Sequence, residues 1–143
     1  MTSTVFKSLA DTTFDSVEGY RKAHEKAKSA QLKQALQQRL EKRQQTLGVL
    51  NAQLERQGDE LVTKGTATGG LHRLWVDITD LFENGDEAAA ERVEEGEDYI
   101  KDKFEKALEG DDLEAGERAI VQQCLAEILS LIHISEPTRL LSI

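Results

Sequence analysis

The chain has 143 residues, with 18 lysines and arginines against 27 aspartates and glutamates, a net charge of −9. That length gives one domain with a modest core. The acidic surplus excludes a general nucleic-acid binder, which needs a basic face, and a single cysteine excludes a disulfide scaffold or a cysteine-based zinc site.

No run approaches the roughly 20 apolar residues of a membrane span, and the N-terminus is too polar for a signal peptide, so a cytoplasmic protein is expected. One proline, 5 % aromatics and abundant alanine, leucine, glutamine, glutamate and lysine predict an all-α chain.

The first predicted helix spans residues 4–28. Phe6, Leu9 or Ala10, Thr13, Val17, Tyr20, His24 and Ala27 recur at steps of three and four, which puts them on one face. Ser29 is a candidate N-cap for a second helix over residues 30–57. Its stripe is Leu32, Leu36, Leu40, Arg43, Leu47, Leu50 and Leu54, with Arg43 the one interruption and Gly58 the expected C-cap. Two helices of about 25 residues, each about 37 Å long, joined by a very short connection, predict an antiparallel hairpin.

The connection over residues 63–70 reads T-K-G-T-A-T-G-G and leads into a short amphipathic helix anchored by Leu71, Leu74, Trp75 and Ile78. Asn84-Gly85 stops it, and Asp86 is the expected cap of a fourth helix over residues 87–109. Asp111 with Glu114 reads as a capping box opening a fifth helix, with Ile120, Cys124, Glu127 or Ile128, and Leu131 on one face. The expected fold is a ferritin-like antiparallel four-helix bundle with a short extra helix in the middle crossover.

Residues 71–78, L-H-R-L-W-V-D-I, resemble the L-H-R-x-W-x-D-L element of a ferritin-like bacterial family of unknown function. Residues 15–21 resemble that family's D-G-x-x-G-[FY]-R stretch, residues 94–98 its E-x-G-E-D stretch, and residues 122–128 the start of its last helix. The resemblance covers residues 5–128 and implies the fold. It implies no established biochemical role.

The end of the chain has a different character. Between Leu125 and Ile134 only Glu127 is charged, and Ile132 and Ile134 alternate as in a strand. Residues 129–139, L-S-L-I-H-I-S-E-P-T-R, resemble a translated sequencing-library adapter. The expected division is therefore a bundle over residues 1–128, with its last helix cut short, and a non-native tail over residues 129–143.

Carboxylate di-iron bundles use two Glu-x-x-His pairs, and the long helices carry none: Glu41 is followed by Gln44, Glu94 by Glu97 and Glu127 by Ser130. No cofactor is expected. The alternative is an incomplete iron or manganese site with Glu18, Glu97 and Glu127 as ligands. A buried arginine must be paired, so Arg43 with Glu18, Glu97 and Glu127 reads as a structural polar layer. Cys124 reads as a small buried hydrophobe, and the acidic run Glu91, Glu94, Glu95, Glu97 and Asp98 as a mainly solvated face.

No phosphate loop, nucleophilic triad or nucleotide fingerprint appears, and no small-molecule substrate is identifiable. The expected function is that of a non-enzymatic, stress-related bundle. It would act through a homodimer or another protein partner, and the alternative is metal binding.

Overall fold

In a computed structural model, residues 2–65 and 69–135 are described, the last four of them by backbone alone. Among these residues there are five α-helices and no strand: α1 (Thr4–Lys26), α2 (Ala30–Arg56), α3 (Gly70–Leu81), α4 (Asp86–Glu109) and α5 (Ala115–Ser135), with a 3₁₀ turn at Phe82–Asn84 after α3. No described helix is long and apolar enough to cross a membrane.

Local chemistry sets the helix ends. Ser3 Oγ accepts from the Phe6 N–H at 3.1 Å and Ser29 Oγ from the Leu32 N–H at 3.2 Å, each satisfying a donor that the first turn leaves open. After α2, Gly58 takes φ +76°. Its N–H donates to the Glu55 carbonyl, and the next N–H, of Asp59, reaches back to Leu54. This is a Schellman ending, and it needs a residue that accepts positive φ.

Two expected caps sit elsewhere. Asp86 is the first residue of α4, and its carboxylate accepts instead from the Lys28 and Ser29 N–H groups of the α1–α2 turn. The box that opens α5 is formed by Glu117, whose carboxylate accepts from the Glu114 N–H, in place of Asp111 with Glu114.

Contacts join the long helices in the ring α1–α2–α5–α4, with α3 against both α1 and α4. Ser16 meets Arg43 and Tyr20 meets Arg39, so α1 and α2 run in opposite directions. Arg39 meets Glu94 and Arg43 meets Glu97, so α2 and α4 run in the same direction. The chain must therefore travel back along the length of the molecule between them, and α3 lies in that connection.

The core is filled by Phe6, Leu9, Val17 and Tyr20 from α1, Leu36, Leu50 and Leu54 from α2, Val93, Ile100 and Phe104 from α4, and Val121, Cys124 and Ile128 from α5. Leu71, Trp75 and Ile78 of α3 join it, whereas Leu74 is half-buried at its edge. On α5 the buried face carries Val121 and Ile128, while Ile120 and Glu127 sit at its margin. The adapter-like stretch is helical as far as Ser135, including Ile132 and Ile134, because α5 continues unbroken. Pro137, Thr138 and Arg139 lie outside the described residues, as do residues 66–68 of the glycine-rich connection.

Candidate functional site

The interruption at Arg43 marks a buried layer of charge. Arg43 is the largest fully buried side chain among the described residues, with 0 % exposure. Its Nη2 donates to both oxygens of Glu97, at 2.9 and 2.8 Å, and its Nη1 donates to Ser16 Oγ at 2.6 Å. The Tyr20 hydroxyl donates to Glu97 Oε1. One turn away, Arg39 Nη1 donates to the Tyr20 hydroxyl at 3.3 Å, and its two Nη atoms donate to Glu94 at 3.4 and 3.3 Å. Two guanidiniums thus face two carboxylates, and the layer is neutral as a unit. The Arg43 Nε is buried without a partner. Its guanidinium carbon lies 5.7 Å from the centroid of the Tyr20 ring, within cation–π range.

The electrostatics follow from this arrangement. Burial alone would push the Glu97 carboxyl up, but Arg43 and Arg39, with the tyrosine and arginine hydrogen bonds, outweigh it and hold the group below its ordinary value of 4.5. Burial and the Glu97 charge raise the Tyr20 phenol, which stays neutral. The layer is therefore an ion-pair network in which every acid is already engaged by a fixed cation.

The expected layer members separate. Glu97 is 2 % exposed and central. Glu18 lies outside the layer, its side chain 44 % exposed and paired with Arg21 at 2.9 Å on the same helix. Glu127 is half-buried on α5 and accepts from Thr46 Oγ1 at 3.4 Å. Glu18, Glu97 and Glu127 do not form a ligand set: among the described residues no three histidine, cysteine or carboxylate side chains come together to hold a metal.

The residues that sequence reading left out are Arg39, Glu94, Ser16 and the hydroxyl of Tyr20. The sequence pattern places Glu94 in a mainly solvated acidic run, but that run splits: Glu94 and Glu97, three apart, face inward, and Glu91, Glu95 and Asp98 face out. A signal was present in the spacing. Arg39–Arg43, Ser16–Tyr20 and Glu94–Glu97 are all same-face pairs on their helices.

Trp75 borders the layer. Its ring meets Tyr20 edge-on, with centroids 4.8 Å apart and planes at 61°. The indole lies between two glycines. A Cβ at Gly19 would overlap the indole ring, and one at Gly96 would meet it at 3.6 Å. The indole Nε1 is buried with no hydrogen-bond partner. Elsewhere, burial and the nearby Glu127 push the Cys124 thiol up to about 12, so it stays protonated.

Fold and site together define an all-helical protein with a neutral charged layer inside it. The chain belongs to a family described as a domain of unknown function (DUF2383), whose model matches residues 1–110. That span holds α1 to α4, and with them every residue of the layer. Neither the curated proteins nor the solved structures contain a match to the chain.

Proposed function

We propose that the protein is a non-enzymatic, ferritin-like four-helix bundle that acts by self-association or by contact with another protein. The observation that carries this reading is Arg43. Carboxylate bundles of this topology hold metal ions on converging glutamates and histidines in the core. Here a guanidinium stands among the carboxylates, and Glu97 gives both of its oxygens to it. A carboxylate so paired has little charge left for a metal, and the two arginines would repel one. A cytoplasmic, stress-related setting belongs to the same reading.

The metal-binding alternative has less support, since Glu18 pairs with Arg21 at the surface and no three histidine, cysteine or carboxylate side chains come together among the described residues. Elemental analysis of protein produced with excess iron and manganese tests both readings, with light scattering to give the mass in solution. The expected result is metal far below one equivalent and a species larger than a monomer. One or more tightly held equivalents of iron or manganese would overturn the proposal.

A further inference from the structure

The ring of long helices has two unlike sides. On one, α3 lies against both α1 and α4. On the opposite side α2 and α5 are neighbours, and no further helix among the described residues lies over them.

The charge is divided in the same way. Only four of the 27 acidic residues lie on α2 and α5: Glu41, Glu55, Glu117 and Glu127. Glu117 is buried and Glu127 half-buried, and the exposed Glu41 and Glu55 are balanced by the exposed Lys42 and Arg56. α4 is the contrast, with Glu91, Glu95, Asp98 and Asp102 along its exposed face. On the α2–α5 side, amides stand where the rest of the surface carries charge. All ten glutamines of the chain lie on α2, at its C-cap or on α5. Gln38, Gln45 and Gln123 among them are exposed.

A chain of net charge −9 repels a second copy of itself. A two-fold contact sets one patch against the same patch, so that patch must be self-complementary. Carboxylates against carboxylates are not. A primary amide is, since it carries both donors and an acceptor, and depletion of charge marks the core of an interface. The size agrees as well. At 1.5 Å per residue and about 10 Å across, α2 and α5 together present about 700 Å², close to the roughly 800 Å² per partner of a stable interface.

We propose that the α2–α5 side is the face through which two copies of this chain pair into a symmetric dimer. This rests on the self-association reading above and deepens it by naming the partner and the surface.

Sedimentation equilibrium of the full chain gives the dissociation constant of the dimer. Gln38→Glu combined with Gln45→Glu puts new carboxylates on both sides of the contact and should weaken the dimer about tenfold or more. Both positions are exposed, and glutamate matches glutamine as a helix former, so the fold is kept. Thr63→Glu combined with Ala88→Glu adds the same charge at exposed positions away from α2 and α5, and should change the constant less than about threefold. Raising the ionic strength from about 0.05 M to about 0.5 M screens the repulsion between two acidic copies and should tighten the dimer about three- to tenfold. A contact that set the acidic face of α4 against lysines would weaken instead.

The proposal is overturned by a dimer that the two double variants affect equally, or by one that salt weakens. In either case the chain still self-associates and the reading above stands. A chain that stays monomeric up to about 1 mM overturns this surface and self-association together, and leaves contact with another protein as the surviving form of that reading.

Discussion

Arg43 is where a single side chain has most influence on this protein. It takes a leucine position in the stripe of α2, and its charge is compensated only by Glu97, with Ser16 and Tyr20 filling in. Removing one member of such a layer leaves an unpaired buried charge. Arg43→Ala should therefore cost about 3–5 kcal/mol of folding stability, measured by denaturant unfolding. Replacing the central group together, as Tyr20→Phe with Arg43→Met and Glu97→Leu, should bring stability back to within about 2 kcal/mol of the parent, since a well-packed apolar layer often equals a buried ion pair. An Arg43→Ala variant as stable as the parent would mean that the pair contributes nothing.

The interruption at Arg43 was legible because it broke a leucine pattern. Its partners were not, because Glu94 and Glu97 lie within an acidic run whose inward and outward members differ only by helix rotation. Glu18 shows the converse. It lies on the same helix as Tyr20, but two positions earlier in the turn, and that rotation carries it to the surface.

At the scale of elements, α3 is held by the fit of one indole. Its amphipathic pattern was plain in sequence, and the helix lies within a residue of where the periodicity put it. The slot it enters was not plain, because Gly19 and Gly96 are far apart in the chain and each reads as a helix weakness by itself. Their roles differ. A methyl group at Gly19 overlaps the Trp75 ring, whereas one at Gly96 makes an ordinary contact. Gly19→Ala should destabilise by about 1–3 kcal/mol and alter the Trp75 emission. Gly96→Ala should leave the emission unchanged and stabilise by about 0.5–1 kcal/mol, the usual gain of alanine over glycine within a helix. Equal effects of the two substitutions would refute the slot.

At the scale of the whole molecule, Glu117 closes one end. It accepts from Ser3 N at 3.1 Å and Oγ at 2.6 Å, from Gln57 Nε2 at 3.0 Å and from Glu114 N at 3.0 Å. The start of α1, the end of α2 and the start of α5 thus meet on one carboxylate. Burial raises this group, but the hydrogen bonds from Ser3, Glu114 and Gln57 outweigh it and hold it below its ordinary 4.5. A carboxyl lowered by folding stabilises above its unfolded value, and that contribution is lost as pH falls through the folded one. Unfolding followed from about pH 6 to about pH 3 should show the parent losing its advantage over Glu117→Gln as the acid protonates. A gap between the two that stays constant over this range would mean that Glu117 carries no charge-dependent share of the stability. Glu97, lowered for its own reasons, adds to the acid loss with the same sign.

The sequence by itself determined the helices and the apolar face of each, because period and caps are local properties read within one or two turns. It also marked Arg43 as the polar interruption of the α2 stripe, without deciding whether that side chain is buried or lies at the rim. Only the tertiary structure decided which residues meet it. The partners come from α1 and α4, 27 positions away for Ser16 and 54 for Glu97. A helix rotation of one residue, about 100° at 3.6 residues per turn, exchanges a buried glutamate for an exposed one.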